Sequence, residues 1–83
     1  MSDNRDTYRY ELRDRGKLVY VGITDDPERR AQEHKDDRKR FTSVKVVGPA
    51  VTERSAEQWE EQRLQTYREN HGGRNPRYNE TDK

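Results

Sequence analysis

The stretch from Tyr8 to Ile23 constrains this chain more than any other, because its hydrophobic pattern changes across a turn signal. Tyr8, Tyr10 and Leu12 alternate with Arg9, Glu11 and Arg13, the period of a strand with one buried face. Asp14-Arg15-Gly16 then reads as a tight hairpin loop, with glycine where a positive φ is needed. The return strand, Lys17 to Ile23, is apolar on both faces, Leu18 and Tyr20 on one and Val19, Val21 and Ile23 on the other. A strand buried on both sides is expected at the centre of a sheet.

Downstream, Asp25-Asp26-Pro27-Glu28 opens a helix expected to run to Asp37 or Arg38. Asp25 and Glu28 have capping-box spacing, and proline is tolerated in the first turn. Val44, Val46 and Val47 mark a third strand over Ser43 to Gly48, stopped by Pro49. Thr52 or Ser55 caps a longer helix that ends near Asn70, where His71-Gly72-Gly73 supplies the stop. The expected fold is α+β in the order β-β-α-β-α, a three-stranded antiparallel sheet flanked by helices. Residues 1–6 read as a disordered lead-in, 7–79 as one domain and 80–83 as a frayed tail.

Only 25% of the chain is hydrophobic and 42% is charged, a balance that favours disorder unless the charges pair. A net charge of +1 lets them pair, and the periodic apolar clusters argue for a small domain with a thin core. No run approaches the ~20 apolar residues of a membrane span, and Met1 to Asp6 lack the apolar core of a secretory leader. Without cysteine there is no disulfide, thiolate nucleophile or cysteine zinc site, and a cytoplasmic location is the expectation. Thirteen arginines against five lysines suit fork-shaped contacts to phosphate or carboxylate. With the total charge so low, any nucleic-acid surface must be a local patch.

Three groups of residues stand out. On the second helix the apolar stripe Ala56, Trp59, Leu64 and Tyr67 includes Glu60 and Arg63 in its arc. A carboxylate inside a packing face needs a counter-ion or a metal. A pair with Arg63 or with an arginine of the first helix is the plainest reading. On the first helix Arg30 and His34 share a side with Ala31, and the scarcity of apolar residues there suits a helix beside a cleft; from the residues alone, a solvated face with Arg30 paired to Glu33 or Glu28 is the favoured reading. Tyr8, Tyr10 and Tyr20 cluster on the hairpin, with Gly22 leaving room beside them. Arg38-Lys39-Arg40 and the pair Arg74 and Arg77 are basic patches flanking Phe41 and Tyr78.

Taken together, these residues resemble the GIY-YIG nuclease family, as a small stand-alone domain. Tyr8-Arg9-Tyr10 followed by Leu12 matches the first motif in its tyrosine, though the glycine and isoleucine of the name are missing. Tyr20-Val21-Gly22 matches the second motif. The family's arginine lies ten residues after that second tyrosine, often with a histidine four further on, and Arg30 and His34 hold those offsets. Glu60, with Leu64 four residues on, fits the metal-binding glutamate, with Glu57 and Glu61 as rivals. Pro76-Arg77-Tyr78-Asn79 resembles the closing segment, whose asparagine belongs to the site; Asn75 is a rival to Asn79.

The resemblance implies metal-dependent hydrolysis of phosphodiester bonds in DNA, leaving 5′-phosphate and 3′-hydroxyl ends. Glu60 is then expected to hold one Mg²⁺ or Mn²⁺, and Arg30 to face the charge that develops on the phosphate. Tyr10 is expected to orient or deprotonate water, with Tyr20 and His34 as helpers and Asn79 tying the tail to the site. Arg38, Lys39, Arg40, Arg74 and Arg77 are expected to contact nucleic acid. Branched or single-stranded DNA, a homodimer, or a partner that supplies specificity are the associations expected of such a module. The alternative is a noncatalytic nucleic-acid-binding or protein-interaction module on the same scaffold.

Overall fold

The computed structural model describes residues 4–79. Strands β1 (Tyr8–Asp14) and β2 (Lys17–Thr24) form the hairpin. Arg15 and Gly16 turn it with φ of 54° and 85°, the two positive values that a two-residue loop matched to strand twist requires. Helix α1 (Pro27–Asp36), strand β3 (Ser43–Val46) and helix α2 (Glu53–Asn70) follow, and a 3₁₀ turn at Arg77–Asn79 ends the described chain. The sheet is antiparallel throughout, in the order β2-β1-β3. The α+β expectation holds. The expected lead-in falls partly, and the expected tail wholly, outside the described residues.

The strand expected at the centre is at the edge. β1 is central, and β2, apolar on both faces because α2 and α1 pack against it, lies at the edge, where a side chain instead of a strand closes its outer backbone. Asn79 Oδ1 accepts from the Val21 N–H at 2.8 Å, and Asn79 Nδ2 donates to the Val21 carbonyl at 2.9 Å. The amide of one residue thus satisfies a donor and an acceptor that an edge strand otherwise leaves to water.

The faces of β2 also differ from simple alternation. Leu12 pairs with Tyr20 but Arg13 with Leu18, so Val19 is the extra residue of a bulge. Leu18 therefore shares a face with Arg13 and not with Tyr20, and Val19 joins Tyr10 and Leu12 in the core cluster. Tyr20, Phe41 and Tyr78 pack against that cluster. On α2 only Ala56 is fully buried, while Trp59, Leu64 and Tyr67 are half-buried. The core is thin, as so polar a composition dictates.

Two boundaries moved. The cap of α1 is Asp26, which accepts from Arg29 N–H at 3.2 Å; Asp25 pairs instead with the Arg29 guanidinium at 3.3 Å. β3 stops at Val46, because Gly48 turns the chain with φ 70° before Pro49. Thr52 caps α2 by accepting from Ser55 N–H at 3.2 Å. The helix closes with Gly73 N–H donating to the Arg68 carbonyl at 2.8 Å, both glycines having positive φ.

Candidate active site

The sheet face bearing Tyr10 and Leu12 carries the tyrosine cluster. Register sets Gly22 opposite Tyr10, and strand alternation places Tyr20 on the same side. A Cβ at position 22 would lie 2.6 Å from Tyr20 Cε2 and 2.8 Å from Tyr10 Cζ. Glycine is needed there because two aromatic rings converge over the backbone.

Helix α1 delivers Arg30 and His34 from one side, one turn apart. His34 is only 1% exposed; its Nε2 lies 2.7 Å from the Tyr10 hydroxyl, and its ring centroid is 4.6 Å from that of Tyr20. Burial, then the charges of Lys39 and Arg30, push its pKa down to about 4, so the imidazole is neutral at pH 7. Tyr10 is wholly buried. Desolvation, reinforced by Tyr20, raises its pKa well above the ordinary tyrosine value. Arg30 acts in the opposite sense and does not offset this. Burial thus favours the protonated phenol of Tyr10, the residue expected to orient or deprotonate water, and its hydroxyl is engaged with His34.

Arg30 forms an ion pair through Nη1 with Glu33 at 2.7 Å, the partner that first raises its pKa. That bond takes one nitrogen of the fork, and the guanidinium also interacts with the Tyr10 and Tyr20 hydroxyls. Across the cleft, α2 presents Glu60. The expected pair with Arg63 does not form, because Arg63 Nε donates to Glu11 at 2.9 Å. Glu60 is half-buried without a hydrogen bond or ion pair among the described residues, and burial followed by repulsion from Glu57 raises its pKa.

Tyr20, Arg30, His34, Glu60 and Asn79 thus line one open cleft of about 620 Å³. Tyr10 does not line it and meets its wall only behind His34. Both rival glutamates, Glu57 and Glu61, line the same cleft from more exposed positions. Asn75 does not; its Oδ1 accepts from Arg68 Nη1 at 2.9 Å. Of the basic run, only Lys39 lines the cleft, whereas Arg38 and Arg40 are exposed. Arg74 and Arg77 line a different cleft. Tyr78 lines the first cleft, and its hydroxyl accepts the Arg40 N–H at 2.9 Å.

Among the described residues no three His, Cys, Asp or Glu side chains cluster tightly enough to cage a metal ion. The donor set still fits a hard cation of the Mg²⁺ type, which needs one or two carboxylates and takes its other ligands from water and phosphate. Glu60, carrying an uncompensated charge at the cleft wall, is the residue that would hold it.

Sequence reasoning missed Glu11. It alternates with buried residues on β1 and reads as solvent-facing, yet it is 5% exposed, with Arg13 at 2.8 Å and Arg63 at 2.9 Å. Its only trace was Arg63 inside the packing arc of α2, a cation that had to have a partner.

The GIY-YIG catalytic domain pattern matches residues 7–75, and the chain belongs to that nuclease family. Nucleases of this kind generally depend on a divalent metal ion. Searches among curated proteins and among solved structures gave no significant match. The match stops short of Tyr78 and Asn79, whose place in the cleft is seen from geometry alone.

Proposed function

We propose that this protein is a metal-dependent endonuclease that hydrolyses phosphodiester bonds in DNA and leaves 5′-phosphate and 3′-hydroxyl ends. The observation that carries the reading is the convergence in one cleft of a guanidinium, a neutral imidazole, a tyrosine hydroxyl and a half-buried, unpaired carboxylate. Such a set suits a reaction in which negative charge grows on a phosphate while water attacks.

Arg30 binds a nonbridging oxygen, while Glu33 holds Nη1 and fixes the plane of the fork. Preorganised donors of this kind contribute about 10²–10³ in rate. Tyr20 lines the cleft and positions water or phosphate with its hydroxyl. Tyr10 acts through His34 as a positioning residue, fixing the imidazole that packs against Tyr20. Asn79 anchors the end of the chain against Val21 and takes no part in the chemistry. Glu60 would hold the divalent cation, which when bound supplies charge neutralisation at the phosphate.

Cleavage of supercoiled plasmid and of branched and single-stranded oligonucleotides, in Mg²⁺, Mn²⁺ or chelator, tests the reading. Metal-dependent cutting should fall about 10²–10³-fold in Arg30→Ala and to background in Glu60→Gln, with thermal melts showing both variants folded. Glu60→Gln protein that cuts like wild type would overturn the assignment, and 3′-phosphate products would overturn the proposed polarity. Silence of the wild type on every substrate would favour the noncatalytic alternative.

A further inference from the structure

A second cleft, of about 660 Å³, opens between the hairpin turn and the C-terminal end of α2. Arg13, Lys17, Arg63, His71, Arg74 and Arg77 contribute to its walls, and none of its lining residues is acidic. Five of these are permanent cations. Among the described residues the one carboxylate bonded to them is Glu11, buried behind the wall, where it accepts from both Arg13 and Arg63. Lys17, Arg74 and Arg77 have no carboxylate partner among the described residues. Asp14 faces Lys17 across the hairpin by register but forms no ion pair with it. The cleft and its bonded carboxylate therefore hold four net positive charges, in a chain whose total is only +1.

Two of the cations, Arg13 and Arg63, are also held in place. Arg13 has its nitrogens engaged by Glu11 and the Gly16 carbonyl, so it stiffens the wall. Arg63 uses only Nε on Glu11, which leaves both Nη groups for an anion. His71 stacks flat on Tyr67, with centroids 3.7 Å apart and planes 5° from parallel, and fixes the helix end beside them.

The final segment joins this cleft to the catalytic one. Arg77 lines the basic cleft, and the next two residues, Tyr78 and Asn79, line the catalytic cleft. On β2, Lys17 to Val19 face the first and Tyr20 the second. A ligand with repeated phosphates lying over the Arg77–Asn79 turn, which covers the outer edge of β2, meets both. A free phosphate or a mononucleotide fills one.

We infer that the basic cleft is a second phosphodiester-binding site that grips the backbone of the same nucleic-acid strand a short distance from the reacting phosphate. The inference rests on the nuclease reading for the strand's path, whereas its binding is testable without any cutting.

The experiment is fluorescence anisotropy of a labelled DNA 20-mer in chelator across a salt series. It compares wild type with a Lys17→Gln, Arg74→Gln, Arg77→Gln protein. A control carries the same charge change at exposed sites outside both clefts, Arg5→Gln, Lys45→Gln and Arg54→Gln. Each lost phosphate contact lowers the slope of log affinity against log salt by about 0.7–0.9. The cleft variant should therefore lose roughly two units of slope and more than tenfold in affinity, while the control loses clearly less. Its KM for plasmid should rise with kcat held. Equal losses in cleft variant and control, or no loss in either, would overturn the inference. So would a mononucleotide that displaces the 20-mer at concentrations near the oligonucleotide's own Kd. If wild type binds through this cleft but cuts nothing, the nuclease reading fails and this site stands. If it cuts and the cleft variant binds and cuts unchanged, this site fails and the nuclease reading stands.

Discussion

The two edges of the sheet have been treated in opposite ways. At the β2 edge the backbone is closed by the Asn79 amide, Leu18, Val19 and Val21 are buried, and titratable groups gather in the cleft alongside. At the β3 edge all four residues are exposed. Val44 and Val46 are 38% and 41% exposed and, with Pro27, Ala31 and Phe41, line an apolar groove of about 490 Å³. The contrast shows where a chain short of apolar residues concentrates its order. The closed edge holds side chains to the tolerance that chemistry needs, while the open edge keeps little besides strand pairing to β1.

Lowering the pH should break the closed edge first. The folded pKa of His34, about 4, lies below its ordinary value of 6.5, so the unfolded chain takes up the proton first. Stability is full above pH 6.5, falls as the pH drops through that window, and has lost about 3 kcal/mol near pH 4. Glu11, held below the usual carboxylate range by Arg63 and Arg13 against its own burial, adds a loss that begins only under pH 4.5. Thermal melts from pH 7 to 5 should show the decline in wild type and a nearly flat profile in His34→Gln. A wild-type Tm constant over that range would remove His34 from the account.

Gly22→Ala is the next largest perturbation. Its new methyl would press on two tyrosine rings, and overpacking of this kind costs about 1–3 kcal/mol. Cutting should fall with stability, because Tyr20 is displaced. A variant with unchanged Tm and activity would mean that the rings relax freely.

The smallest effect sharpens the comparison directly. Asn79→Ala leaves the Val21 N–H and carbonyl without their partner and should cost about 1–2 kcal/mol in chemical denaturation. Val44→Thr on the open edge should stay within about 0.5 kcal/mol. Equal losses at the two edges would show that Asn79 adds no more order than a surface contact.

Much of the site was legible because it is local. The run from Tyr20 to His34 is a strand end, a turn and two helical turns, and spacing alone sets Arg30 and His34 on one side of α1. Glu60 was legible as a charge in the wrong helical arc. What misled was any inference that needed to know what lies across a gap. The apolar faces of β2 have the same pattern whether a strand or an asparagine covers its edge. The Val19 bulge leaves no mark in the alternation that it breaks. Asp25 and Asp26 compete for one cap with the same chemistry, and only the local backbone decides between them.

The sequence by itself determined the element order, the turn at Arg15-Gly16 and the glycine stop of α2, since each depends on neighbours a few positions away. Only the tertiary structure decided that β1 is central, that Arg63 belongs to Glu11 and not to Glu60, and that Tyr10 is buried beneath His34. It alone separated Arg77 from Tyr78 into two clefts. The reason is that burial and pairing are set by contacts between residues far apart in the chain. Local propensity is blind to those contacts, and they alone determine which charge is left without a partner to do chemistry.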